Sequence, residues 1–474
     1  MSRSLKTVIT ALALIVAAGL TYFLLLQKSD NNILYKIPDK ASTIAIIDLR
    51  TLSSKLFLTE VGSDTGLLKQ LSKHVPHSLK SVRWTSTGLG LPDKIAFFTI
   101  GDTLGDKVHF LTSISSASRF NSFMDDLCAR TKMKIIHKYE LRWLINTREK
   151  LLIAWNDSYV TGTINSENID ASLETLTGIL DLQKQQSIMS DSVFVQKQSH
   201  EYDIFIFKRK HHYCSFKCLN ELNPEIEGLV SYIHFNKGQL EIETEITAQQ
   251  GSSLAKILSA PVRELPTLKT DSAVLNLKTN VDPNAFQALL NKLQLLDFKN
   301  TLIPGLSNWD GRLNLFFCGS QSVKANYISY VYDDNFNKIE VTKTVNETMM
   351  NIQAAFGQKS APLLIKEGKD TLLYKGGNFL FRKQHDYYST FNKYFAPLTI
   401  ATEIYPERLS LFVDVKKFQS ILQDAKIDTH RIFNRFPVEN ANISISADGK
   451  MKAIFTFANK NENVLYSIAN GAFN

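Results

Sequence analysis

The chain has 474 residues, of which 44% are hydrophobic and 21% charged; this excludes wholesale disorder and suits two or three domains. The net charge is +8, and Arg3, Lys6 and Lys28 supply three of those charges in a stretch without acids. The remainder is nearly balanced and has no basic block, which excludes the electrostatic footprint of a nucleic-acid binder.

The run "VITALALIVAAGLTYFLLL" (8–26) is free of charge and follows Arg3 and Lys6. Nineteen uncharged, mostly apolar residues nearly span a bilayer core, and the preceding basic residues keep a short N-terminus inside. The small residues "VAAG" (16–19) also suit a cleaved signal peptide, but the apolar run continues past them. The expectation is an uncleaved single-pass signal-anchor. Residues 1–33 then form the cytosolic stub and transmembrane helix, with the bulk of the chain in the periplasm.

Next comes "IPDKASTIAIIDLRTL" (37–52), a Pro-led polar stretch running into an apolar strand. A helix is expected at 67–75. "TGLGLPDK" (87–94) has glycines and a lysine, but Pro92 and Asp93 break the phosphate-loop pattern, so it reads as a turn before "KIAFFTI". Further helices are expected at 117–129, where Phe120, Phe123 and Leu127 share a face, and at 172–184.

"HEYDI" (200–204) starts like a metalloprotease helix, but Ile204 stands where the second His must be. "HHYCSFKC" (211–218) places two His beside Cys214 and Cys218. It lacks the second ligand pair of a zinc module and reads equally as a local disulfide or two unrelated cysteines. Four cysteines in all are too few for a disulfide-built scaffold. "SYIHFNKGQLEIETEI" (231–246) alternates on both sides of an Asn-Lys-Gly turn and predicts a hairpin. A partly polar linker follows at 251–264.

At 265 the line "LPTLKTDSAVLNLKT" repeats the opening segment at an offset of 228, with Pro38 on Pro266, Ala45 on Ala273 and Leu49 on Leu277. Asp-Pro at 282–283 caps an expected helix at 284–297. "VYDDNFNKIEV" (331–341) reads as a hairpin turn. Its Asp333, Asn335, Asn337 and Glu340 make an incomplete calcium pattern without the central Gly. Met349, Ile352 and Phe356 recur at i, i+3 and i+7, so a helix is expected over 344–356. "HDYYSTF" (385–391) shares Asp-x-Tyr with "NDSYVTGT" (156–163), at Asp386 and Tyr388 against Asp157 and Tyr159. "LSLFVDVKKF" (409–418) resembles "YDIFIFKRK" (202–210), a helix is expected at 416–425, and "ISISADGKMKAIFTF" (443–457) predicts a second hairpin.

These correspondences predict two similar α+β modules, at 34–250 and 265–474. Each would be a mainly antiparallel sheet with helices packed on one face, preceded by one transmembrane helix. The opening pattern carried by Ile37, Pro38, Ala41, Ser42, Ala45, Ile47, Asp48 and Leu49, with "SIMSDSVFVQ" (187–196), resembles a family of uncharacterised bacterial envelope proteins, a domain-of-unknown-function family. That resemblance implies an envelope location and supplies no catalytic residues. Many family members carry a lipoprotein Cys, which is absent here.

Neither a G-x-S-x-G elbow nor a C-x-x-C redox pair occurs. Trp84, Trp143, Trp155 and Trp309 read as core residues. No catalytic, cofactor-binding or metal-binding residue is assigned, and no cofactor is expected. The expected function is non-catalytic: binding or scaffolding in the envelope, with the membrane engaged through 8–26, an envelope protein as partner, and no nucleic acid. One alternative is an envelope hydrolase, for which Asp157, His200, Glu201, His385 and Asp386 are the first residues to test. Another is a folding or trafficking factor for exported proteins.

Overall fold

The structure, a computed structural model, describes residues 32–52, 55, 88–89, 94–100, 107–131, 134–138, 140–146, 150–164, 168–209, 223–268, 273–292, 309–358, 364–366, 371–374, 379–384, 387–392, 394–424, 437–465 and 467–468. The chain divides into two compact units. One comprises 1–41, 81–100 and 107–196; the other comprises 42–80, 101–106 and 197–474.

In the first unit six strands, β2 (Lys94–Ile100), β3 (Val108–Ser113), β4 (Ile135–Lys138), β5 (Leu141–Asn146), β6 (Leu151–Trp155) and β7 (Tyr159–Ile164), pair antiparallel in the order β2–β3–β7–β6–β5–β4. Helix α1 (Ala117–Thr131) crosses them with Phe120, Met124 and Cys128 turned inward against Leu144, Trp155 and Val160. Phe120 meets Trp155 edge to face at 5.7 Å. Of the expected turn at 87–94, residues 87 and 90–93 lie outside the described residues; Gly88, at φ +72°, accepts from the amides of Ser115 and Ser116 just ahead of this helix. Helix α2 (Ile169–Asp181) is N-capped by Asn168, and the Lys36 ammonium donates to the carbonyls of Leu180 (2.7 Å) and Leu182 (2.9 Å) at its far end.

His109 on β3 is buried, with no hydrogen-bond partner for Nδ1 among the described residues. Burial, reinforced by the charge of Lys107, lowers its pKa to about 4. A base whose folded pKa lies below its unfolded value favours the unfolded state as it takes up a proton. Stability is therefore expected to fall between about pH 6.5 and 4, by up to about 3 kcal/mol. Urea midpoints at pH 7 and pH 4.5 check this. His109→Leu should flatten the difference, and an unchanged difference would remove His109 as its cause.

Among the described residues, the second unit holds fourteen strands in one antiparallel sequence of neighbours. β1 (Ala41–Asp48), β8 (Ile204–Lys208), β9 (Ile226–Asn236) and β10 (Gln239–Ala248) pair in that order. β12 (Leu275–Asn280), β20 (Glu407–Asp414), β21 (Val438–Ser446) and β22 (Lys450–Phe457) form a second such run. The two runs meet at β10 and β22, from Gln239↔Thr456 to Glu245↔Lys450. Beyond β12 the order continues through β13 (Trp309–Tyr332), β14 (Lys338–Gln358), β18 (Tyr387–Asn392), β17 (Phe379–Gln384), β16 (Thr371–Tyr374) and β15 (Leu364–Lys366). The order β13–β14–β18–β17–β16–β15 is that of β2–β3–β7–β6–β5–β4, strand for strand. A separate ribbon pairs β11 (Glu264–Leu268) with β19 (Ile400–Ile404).

Both expected hairpins are present as β9–β10 and β21–β22, with Gly238 (φ +62°) and Gly449 (φ +80°) in their turns. Besides the short helix α3 (Ser192–Gln198), three helices follow: α4 (Ser253–Leu258), inside the expected linker, α5 (Pro283–Lys292) and α6 (Val415–Asp424). Asp282 caps α5 through the Ala285 amide at 2.7 Å, and Phe286 packs on Trp309.

Two expectations are corrected. The architecture is dominated by extended antiparallel sheet rather than by helices layered on one face of two α+β modules. The helix expected at 344–356 is instead part of β14. Its apolar spacing also suits a strand covered on both faces: Gln353, Ala354, Ala355 and Phe356 are all buried, and Thr344, Val345, Thr348 and Ile352 are β-branched. The second correction concerns the membrane helix. No helix among the described residues is long and apolar enough to cross a membrane, and 8–26, on which the signal-anchor rested, lies outside them. The expected helix at 67–75 and the cysteines at 214 and 218 also lie outside the described residues.

Candidate interaction site

The core of the second unit ends near residue 319, yet β13 and β14 continue. From Ser320↔Met350 to Tyr332↔Lys338 they form thirteen cross-strand pairs, a ribbon roughly 40 Å long at about 3.3 Å per residue. Below it, β13 is paired with β12 and β14 with β18. Along it, neither outer edge has a strand partner among the described residues. A register shift between Phe317 and Ser320 marks the base, with Gly319 at φ +100° supplying the bend.

Nine of the fifteen large hydrophobic residues exposed among the described residues lie on this arm. Ile328 is 64% exposed, Tyr332 68% and Phe336 86%. Cross-strand contacts hold the ribbon together: Thr344 donates to Asn326 at 2.8 Å, Tyr327 donates to Glu347, and the Lys338 ammonium lies 3.8 Å from the Tyr330 ring centre. The bond to Glu347 pushes the Tyr327 hydroxyl above its ordinary pKa.

The tip is built around Asp333. Its carboxylate accepts from the amides of Asn335 (2.9 Å) and Asn337 (2.7 Å) and from the Asn337 side chain (3.0 Å). The Asn337 side-chain bond, followed by the backbone bonds, holds this carboxyl below the usual range. Both oxygens are thus occupied by N–H donors, in an Asx turn rather than an open calcium loop. The turn forces Phe336 to φ +59°, a region that disfavours aromatic side chains, and aims its ring into solvent. A strained, exposed aromatic at the apex of a capped turn is the kind of outlier that marks a contact site.

The other sequence candidates do not assemble a catalytic centre. Asp157 is an exposed turn residue, and the neighbouring Asn156 side chain makes the turn bonds, accepting from the amides of Ser158 and Tyr159. Tyr159 is buried with Lys36 over its ring, and burial raises its pKa. Tyr388 is buried against Phe356. His200 and Glu201 are exposed, the His200 ring beside Tyr232. His385, Asp386 and Trp84 lie outside the described residues. Trp143, Trp155 and Trp309 are core residues. Two clefts of about 560 and 540 Å³ flank α2; their carboxylates, Asp39, Asp170, Glu174 and Asp181, are all exposed. No group of three or more His, Cys, Asp or Glu able to hold a metal occurs among the described residues.

No family model and no curated protein matches the chain. Among solved structures it is similar to crystal forms I and III of TP0453, at TM-score 0.30 and 8% and 10% identity, covering 50% of this chain and 89% of that one. Crystal form IV gives TM-score 0.27 at 8% identity, over 45% and 79%.

Sequence reasoning missed the arm because it placed a helix where β14 runs. The available signal was alternation: Val323, Ala325, Tyr327 and Val331 on one strand, Ile339, Val341 and Val345 on the other, flanking the turn that was recognised.

Proposed function

We propose that the chain is a non-catalytic binding protein whose contact element is the β13–β14 arm. The observation that carries this reading is the concentration of exposed apolar side chains on a ribbon with two open edges. A free two-stranded ribbon is marginal in water, and contiguous exposed apolar surface of this kind is a signature of interaction sites. For location we propose the periplasmic side of the envelope, with an envelope protein among the partners. The support is the basic and then apolar composition of residues 3–26.

In-cell crosslinking followed by mass spectrometry tests the reading, comparing the native chain with one in which 321–349 is replaced by a short turn. The defined partner should disappear with the arm while the thermal transition of the body is retained. Phe336→Asn should weaken capture while stabilising the turn by up to about 1 kcal/mol, since Asn tolerates positive φ. An unchanged crosslinking profile after truncation would discard the arm as the contact element.

A further inference from the structure

The register divides the arm into two unlike faces. Directly opposed residues share a face, so odd-numbered positions lie on one side and even-numbered positions on the other. The even face carries Lys324, Lys338 and Glu340 among Ser, Thr and Asn, together with the exposed Ile328, Tyr330, Tyr332 and Met350. On the odd face, Val323, Val331, Ile339, Val341 and Val345 form an aliphatic stripe, and its only charges are Lys343 and Glu347. Those two stand four residues apart on one strand, about 13 Å, too far to pair with each other. The Tyr327 hydroxyl, on the same face, holds Glu347 in place.

We infer that the odd face docks on the same face of a second copy of this chain, the two arms running antiparallel about a twofold axis at Val345. That axis sets Lys343 of each copy against Glu347 of the other, Val341 against Met349 and Val345 against its own counterpart, while Val331 and Ile339 fall opposite residues 319 and 351 at the base of the other arm. An isologous interface requires this self-complementarity, and the two charges on the face satisfy it. Centring the axis on Lys343 or on Glu347 instead would oppose like charges. The arm-on-arm overlap, roughly 35 × 10 Å per copy, falls below the usual range of stable specific interfaces, so a weak, transient dimer with a dissociation constant of about 10–100 micromolar is expected. The inference rests on the arm being the binding element, and goes further in naming what covers it.

Sedimentation velocity of the full chain over a concentration series is the test. The native protein should shift from monomer to dimer. Lys343→Glu and Glu347→Lys should each weaken the dimer tenfold or more. An equimolar mixture of the two variants should recover near-native association as a heterodimer, because each supplies the charges the other lacks; this also shows that both variants fold. A chain that stays monomeric, or variants that associate as the native chain does, would overturn the inference. If truncation of the arm still abolished capture of a protein partner, the arm would remain the binding element while the second copy was rejected as its occupant. Arm-dependent flotation with phosphatidylethanolamine–phosphatidylglycerol vesicles, unaffected by the charge variants, would likewise reject the second copy.

Discussion

Replacing Gly311 by alanine is expected to cost the second unit at least about 3 kcal/mol, enough to lower its melting transition by several degrees. Gly311 sits at a bulge in β13, where the register with β14 shifts between Trp309 and Leu313, and its φ is +101°. A methyl group there would stand 1.8 Å from the Val281 carbonyl oxygen. That contact involves backbone on both sides: the Val281 amide donates to the Gly311 carbonyl at 3.2 Å, and Thr279 donates to it at 3.1 Å. Relief would require parting β12 from β13 beside Trp309 and Phe286. Gly319→Ala is the control. Gly319 has nearly the same φ, +100°, but its nearest neighbour would be the Ile421 side chain at 3.6 Å. It should lose only about 1–2 kcal/mol, the cost of the dihedral itself. Urea denaturation of the pair separates close approach from backbone strain, and equal losses would refute the steric argument.

Asp310→Ala is expected to cost a comparable 3–5 kcal/mol, the range for removing one partner of a largely buried ion pair. Arg312 reaches Asp310 through Nε at 2.9 Å and Nη2 at 2.6 Å, with its own amide on the other carboxylate oxygen at 3.0 Å. The Asp310 and Arg312 side chains are 11% and 15% exposed. Arg263 adds a second guanidinium, 3.8 Å from the carboxylate, and donates to the Asp310 carbonyl. Arg312 also reaches the Tyr387 hydroxyl and lies over that ring. Without Asp310 the largely buried Arg312 guanidinium would lose its carboxylate partner, while Arg263, 31% exposed, keeps part of its charge in water. Replacing Asp310 and Arg312 together by apolar residues should therefore cost less than Asp310→Ala alone. A single-variant loss below 1 kcal/mol would show that solvent already screens the pair.

Local chemistry made much of this fold legible. The turns at Gly238 and Gly449, the Asp282 cap and the inward face of α1 are set by residues within a few positions of one another, and such signals survive in any tertiary setting. The described parts of the spaced line at 37 and 265 fall on β1 and on β11 and β12, and Tyr159 and Tyr388 of the Asp-x-Tyr pairs fall at the starts of β7 and β18. What misled was β14. A threefold apolar spacing over 344–356 suits a helix when read alone, and only the neighbours β13 and β18, one on each side, make it a strand. The arm was hidden for the same reason, since its turn at 333–337 is local but its length depends on thirteen distant pairings. Phe336 could have been noticed as an aromatic in a run of turn formers, although nothing local fixes its φ.

The seam between β10 and β22 also has consequences for synthesis. β10 ends at Ala248, and β22, which covers its edge, begins at Lys450. At ribosomal rates of 5–20 residues per second, about ten to forty seconds separate the two. Throughout that interval a nascent chain carries β10 with one open edge, whose unpaired N–H and C=O groups would template association with its neighbours on the polysome. Glu241, Glu243 and Glu245, spaced along the waiting strand, place like charges wherever two such nascent edges would meet. When β22 arrives, Lys452 bridges Glu241 and Glu243. The same carboxylates that keep unfinished copies apart thus become the docking points for the chain's own last hairpin.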